Sequence, residues 1–306
     1  MNLSIIIINY NTKNLTLDCL QSIYTNPPIG YNFEVFVVDN ASTDGSPEAI
    51  AREFPQVQLI TNKENLGFAA ANNQAIKPAR GKYILLLNSD TIVVNECLQI
   101  MLDFMENNPE VGAAGCKVVL PHGGLDKACK RSFPTPENSF YHAVGLSKLF
   151  PSSKRFGAYN CTYLDEDKVS EVDCLVGAFM MVRREVIEQV GMLDEKYFMY
   201  GEDIDWCYRI KKAGWKIVYY PKAKIVHYKG ASSKKKKWKT VFEFHRAMFL
   251  FFNDHYKEKY NFIVRALVYG GISFKFLLAV VKNITAGFVG GKGEADNDQR
   301  KSSYPQ

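Results

Sequence analysis

The sequence contains no Cys-X-X-Cys pair, no basic leader and no uncharged apolar run of about 20 residues, the length a membrane-spanning helix needs. Its seven cysteines, Cys19, Cys97, Cys116, Cys129, Cys161, Cys174 and Cys207, are scattered and odd in number. That argues against a disulfide framework and a structural zinc site, and it suits a reducing cytosol. The apolar run at the N-terminus is too short for a signal peptide and reads as a buried first strand, so a cytoplasmic protein is expected. Acid is missing locally as well: residues 209–239 hold twelve Lys or Arg and no Asp or Glu, although the formal net charge is only +6. Such an excess favours a polyanionic partner: a diphosphate, an anionic membrane surface or a nucleic acid. No nucleic-acid-binding motif accompanies the lysines and no aromatics interleave with them for base stacking, so nucleic acid is not expected. There is no internal repeat.

What is present is a 306-residue chain, 47% apolar, able to bury a substantial core. Its first half alternates strand-like and helix-like segments. Strands are expected at 3–8, 33–38, 57–61 and 83–87, and helices at 15–24, 46–54, 67–76 and 95–107, with Ser46 as N-cap of the second. This order predicts an α/β fold with a mostly parallel sheet flanked by helices. Ligands of such sheets bind beyond the carboxyl ends of the strands, where Tyr10, Asp39, Asn65 and Asp90 fall. Further strands are expected at 111–120, 172–182, 217–220 and 225–228, and helices at 184–190 and 202–213. Residues 122–169 read as loops, mobile near 146–168. An apolar C-terminal stretch, 238–281, is interrupted by Arg265 and Lys275; its readings are helices packed on the catalytic domain, an in-plane membrane helix with snorkelling cations, or a span. The expected division is a catalytic domain over 1–235, a helical extension over 236–289 and a disordered tail over 290–306.

Several polar clusters follow strands. Asn88-Ser89-Asp90 exposes an acid at a strand end, where one carboxylate plus substrate phosphates can complete a Mg²⁺ shell; an ordinary turn is the alternative. Glu202-Asp203 opens a helix, where acids complement the dipole, yet a carboxylate facing a cleft can also serve as general base. His227 lies among apolar residues as a core histidine or as a nitrogen ligand for Mg²⁺ or Mn²⁺. Asp39, at the end of the second strand, is either part of a turn or an acceptor for a base N–H. The Lys234–Lys237 run reads as a solvated face or as a basic flap over a diphosphate.

Together these motifs resemble family-two inverting glycosyltransferases with the A-type nucleotide-binding fold, and within them the rhamnosyltransferase-like branch. The resemblance covers residues 3–255. It rests on residues 5–11, on Val37-Val38-Asp39-Asn40-Ala41-Ser42-Thr43-Asp44-Gly45 and on Asn65-Leu66-Gly67-Phe68-Ala69-Ala70-Ala71-Asn72. It continues through Leu87-Asn88-Ser89-Asp90, Val176-Gly177-Ala178-Phe179, Tyr200-Gly201-Glu202-Asp203-Ile204-Asp205-Trp206 and His227. The resemblance implies that Ile8, Tyr10, Asp39, Asn40, Ser42, Asn65, Gly67 and Asn72 serve the nucleotide, with Asn88 and Ser89 in the motif that binds metal and ribose. Asn88 departs from the acid usual in the wider family, which leaves Asp90 as the only carboxylate metal ligand of that motif, with His227 completing the metal site. Gly177 and Ala178 match a segment that lines the sugar and acceptor pocket. Glu202-Asp203 matches the catalytic pair, with Asp203 as base. The implied partners are a nucleotide-diphosphate sugar, a divalent metal (Mg²⁺ or Mn²⁺) and a glycan or lipid-linked acceptor, with peripheral contact at the inner face of the cell membrane left open. A sugar-phosphate nucleotidyltransferase would need a glycine- and lysine-rich loop where Asn9-Tyr10-Asn11-Thr12-Lys13 stands; a polyanion- or membrane-binding scaffold is the non-enzymatic alternative.

Overall fold

A computed structural model describes residues 1–229 and 237–289. Residues 234–236 of the basic flap expected at Lys234–Lys237, and the tail expected from 290, lie outside the described residues. Strands β1 (Leu3–Asn9), β2 (Phe33–Asp39), β3 (Gln58–Thr61) and β4 (Tyr83–Asn88) run parallel, linked by helices α1 (Lys13–Thr25), α2 (Ser46–Glu53) and α3 (Phe68–Ile76). β1 is buried on both faces, as its β-branched run requires. At α2 the N-cap position is Gly45, not Ser46; Ser46 is the first helical residue, and its amide and hydroxyl both donate to the Asp44 carboxylate.

Beyond β4 the sheet becomes mixed. Short β5 (Thr91–Val93) and helix α4 (Cys97–Asn107) lead to β6 (Val111–Val119). Residues 122–169, expected as loops, contain helix α5 (Pro136–Ala143) and a single turn, α6 (Leu146–Leu149). Then come β7 (Ser170–Glu171), β8 (Phe179–Arg183), α7 (Arg184–Val190), α8 (Glu202–Lys212) and β9 (Lys216–His227). The strand order is β3-β2-β1-β4-β8-β6-β9-β5, with β7 on β9; β8 runs against both β4 and β6. Of the strand expected over 172–182 only the end is strand, in β8; β7 lies before it. Between them the amides of Asp173 and Cys174 donate to Arg131 O instead of to a sheet neighbour. The pair of strands expected at 217–220 and 225–228 is instead one strand. It carries an irregularity around Pro221, where the partner of Cys116 is Tyr220 and the partner of Lys117 is Lys224. All seven cysteines are buried free thiols.

Helices α9 (Lys237–His255) and α10 (Phe262–Val289) close the described chain. His255 Nε2 and Asp205 Oδ1 lie 2.7 Å apart, which ties α9 to α8. In α10, Phe262–Ile284 has a mean hydropathy of 1.7 and none of it is buried, so by length and composition it can cross a membrane despite Arg265 and Lys275. The sequence, judged by its uncharged windows, pointed to something shorter.

Candidate active site

Sheet directions decide which side chains meet. Register sets Asn9 opposite Asp39 and Ile8 opposite Asn88, so β1, β2 and β4 end at one level. Because β8 runs against β4, Gly177 and Ala178, which precede it, reach that same edge; Asn88 N donates to Ala178 O at 3.1 Å. β9 is parallel to β6 and delivers His227 there, while antiparallel β5 sets Thr91 opposite His227 and so brings Asp90 beside the imidazole. A cavity of about 1060 Å³ opens at this edge. Its floor carries Ile8, Tyr10, Asn88, Ser89, Asp90 and His227, and a second wall carries Gly177, Ala178, Glu202 and Asp203. Asn40, Asn65 and Gly67 form its rim on the α3 side. Gly67 has φ +90°, and a Cβ there would lie 2.4 Å from Phe198 O, so only glycine fits where these loops cross.

Asp39, Ser42 and Asn72 do not line the cavity. The Asp39 carboxylate sits behind it, accepting from Asn9 Nδ2 at 2.6 Å and from the Ser42 amide at 2.9 Å. Ser42 Oγ accepts from the Asn11 amide at 2.9 Å, so these groups brace the loop after β1 against the loop after β2. Asn72 is wholly buried in α3 and donates back to Phe68 O at 2.8 Å.

One polar cluster centres on His227. Its Nε2 lies 3.1 Å from Asp90 Oδ1 and 3.4 Å from the Asn88 amide nitrogen. On the other side of the ring, Nδ1 lies 3.6 Å from Asp126 Oδ2, beyond hydrogen-bond range. Asp126 also accepts from Lys229 Nζ at 2.9 Å. Burial opposes a charged imidazole, yet Asp126 and Asp90 raise its pKa to about 9. Burial likewise opposes the Asp126 carboxylate, but His227 and Lys229 hold it well below the usual range. Among the described residues no group of three or more His, Cys, Asp or Glu is arranged to hold a metal by itself. What the cluster offers is two ligand atoms, from Asp90 and His227, for an ion whose remaining ligands would come from substrate, with the Asp126 charge 3.6 Å from the far side of the ring.

The second cluster is at the start of α8. Glu202 and Asp203 are adjacent in sequence but differ in surroundings. Burial, and then the Asp203 charge, push the Glu202 pKa up to about 8, and Glu202 Oε2 is buried with no hydrogen-bond partner. Asp203 Oδ2 accepts from Arg131 Nη2 at 2.8 Å and from the Gly177 amide at 3.4 Å, while Oδ1 accepts from the Ile204 amide at 2.8 Å. These divergent surroundings leave Asp203 paired with a cation and drive Glu202 towards the neutral acid. Neither Asp126 nor Arg131 was singled out from sequence, because both lie in a stretch without periodicity or motif.

A mixed sheet with carboxylates gathered beyond its strand ends is an α/β fold of the kind that binds ligands at that edge. Glycosyl transferase family 2 matches residues 4–191, and the chain belongs to that family. An N-acetylglucosaminyl-diphospho-decaprenol L-rhamnosyltransferase of Mycobacterium tuberculosis is 29% identical over 270 residues, 85% of this chain and 86% of that protein. The low-salt glycan biosynthesis hexosyltransferase Agl10 of Haloferax volcanii is 26% identical over 69% of this chain and 62% of its own length. Among solved structures, a mannosyltransferase of Pyrobaculum calidifontis in complex with GDP-Man and Mn²⁺ superposes with a TM-score of 0.56 at 21% identity, covering 96% of this chain and 76% of that one. S. aureus TarS (1–349) gives 0.54 at 16% identity, over 82% and 64%. Both share the fold.

Proposed function

We propose that this glycosyltransferase moves rhamnose, with inversion, from a nucleotide-diphosphate donor to a hydroxyl of a glycan or lipid-linked acceptor. The observation that carries the reading is the shared cavity of the Asp90–His227 and Glu202–Asp203 clusters. The rhamnosyltransferase relative supports the sugar. Asp203 accepts the proton of the acceptor hydroxyl as that oxygen attacks the anomeric carbon and the nucleotide diphosphate departs from the opposite face. Asp90 and His227 would hold Mg²⁺ or Mn²⁺, with Asn88 alongside; a bound ion supplies positive charge against the departing diphosphate. The Mn²⁺-bound mannosyltransferase supports a divalent metal. Asn40, Asn65 and the Gly67 loop bound the donor's side of the cavity, and Asp39 and Ser42 support that side from behind by bracing the loops after β1 and β2.

The apolar half of the same cavity is walled by Phe244, Met248 and Phe251 of α9 and by Leu267, Val268 and Ile272 of α10. On α10, Phe262, Ile263, Phe274 and Leu277 are exposed. This supports a catalytic domain carrying a helical extension that contacts the inner face of the cell membrane, where a lipid-linked acceptor resides. Nucleotide release from dTDP-rhamnose, UDP-glucose and GDP-mannose, with and without Mn²⁺, tests the donor and the metal. Asp203→Asn is expected to cut turnover by about 10²-fold or more while donor-induced thermal stabilisation persists. Near-normal turnover in that variant removes Asp203 from the role of base.

A further inference from the structure

Two neighbouring carboxylates at the start of α8 cannot both ionise cheaply in a buried site, so something must decide where the charge sits. The only cation hydrogen-bonded to either, among the described residues, is Arg131. It comes from the loop beyond β6, seventy-two positions away in sequence, and its guanidinium is anchored by a second bond from Nη2 to Leu175 O at 2.7 Å. That segment is itself fixed: Arg131 N donates to Cys174 O, and Cys174 N to Arg131 O. Arg131 and Asp203 keep side-chain exposures of only 15% and 12%, and both line the cavity. Among the described residues Glu202 has no comparable partner, and Asp203 Oδ1 accepts one hydrogen bond, from Ile204, which leaves an acceptor position for an incoming hydroxyl.

We propose that Arg131 is the positioning residue of the site: it fixes the Asp203 carboxylate and assigns the negative charge of the Glu202–Asp203 pair to Asp203. Arg131 acts through Asp203, and this inference rests on the reading of Asp203 as base. Arginine suits the task because it stays charged and its Nη2 carries two N–H donors, one for the carboxylate and one for the Leu175 carbonyl. The titratable groups that bear on the pair are Arg131 from the loop beyond β6, Tyr159 and Cys174 from the segments packed over it, and Asp205 from α8 itself. Lys239, Glu243 and Lys275 face the same cavity from α9 and α10.

The test is the pH dependence of kcat/KM for Arg131→Gln and Arg131→Lys, using whichever of dTDP-rhamnose, UDP-glucose or GDP-mannose the wild type turns over with Mn²⁺. Arg131→Gln is expected to move the acid limb up, because the cation hydrogen-bonded to the Asp203 carboxylate is gone. Its kcat should fall while the donor KM stays within about twofold. Arg131→Lys should return the limb most of the way towards wild type, because the charge is kept, but leave kcat depressed, because the flexible ammonium does not hold the carboxylate in the fixed plane of a guanidinium. Thermal melts establish that each variant is folded; if Arg131→Gln is not, the lysine variant carries the test alone, and a limb displaced by more than about one unit there overturns the proposal. A folded Arg131→Gln with an unmoved acid limb overturns it too, leaving Arg131 a packing role only. Asp203→Asn separates the two failures. If that variant is inactive and the limb does not move, Arg131 alone is reassigned; if it is fully active, the base falls and Arg131's role with it.

Discussion

The two polar clusters on the cavity wall use similar residues to opposite ends. Around His227 the imidazole lies between Asp90 and Asp126, with Lys229 at the outer edge of Asp126, so charges balance while the ring keeps its proton and turn negative once it is lost. Around Asp203 an arginine neutralises one carboxylate while its neighbour, Glu202, is driven towards the neutral acid. The first arrangement attracts a cation; the second already owns one. Type and number of charges differ little between them. What differs is whether the basic group can give up its proton: an imidazole can, and a guanidinium cannot.

The sharpest way to break this contrast is His227→Ala. Turnover at a fixed, subsaturating Mn²⁺ concentration should fall by about 10²-fold or more. A Mn²⁺ titration of nucleotide release checks it, and an unchanged metal requirement would make the two clusters equivalent. Mn²⁺ must displace a proton held at about 9, so wild-type affinity for the ion should rise with pH up to that value. Next in size is Asp126→Asn, expected to weaken Mn²⁺ by about 10–100-fold because it removes a negative charge 3.6 Å from the ring, with kcat at saturating metal nearly kept.

The smallest effect probes the other cluster. The raised pKa of Glu202 means the folded state binds a proton between the ordinary carboxylate value and about 8 that the unfolded state releases. Native stability from this group is therefore full at acid pH and lost as pH rises through that window. Glu202→Gln removes the slope: its Tm should pull ahead of wild type between pH 5 and 8, by at least about 4 °C. Parallel Tm curves for the two proteins would show that Glu202 ionises freely.

How far the site was legible depended on where each residue sits along the chain. Asp90 and Asp203 could be singled out because each abuts a strongly patterned element, a buried strand or a helix start. Asp126 and Arg131 could not, since they lie on a connection whose path is set by contacts with Val118, Cys174 and Leu175. Asp39 illustrates a different limit. Its position at the end of β2 was clear, but Asn9, at the same level of β1, claims its carboxylate, and only the parallel register brings those two together.

From its order of residues alone the chain determined its first four strands, the helices between them and the edge at which polar side chains collect, because local periodicity and turn chemistry act over a few positions. Tertiary structure decided the reversal of β8, the merging of residues 216–227 into one strand, and the pairings of Arg131 with Asp203 and of Asp90 with His227. Those partners are separated by 72 and 137 positions. No local signal reaches that far; burial of a shared core does, by forcing distant strand ends to one level.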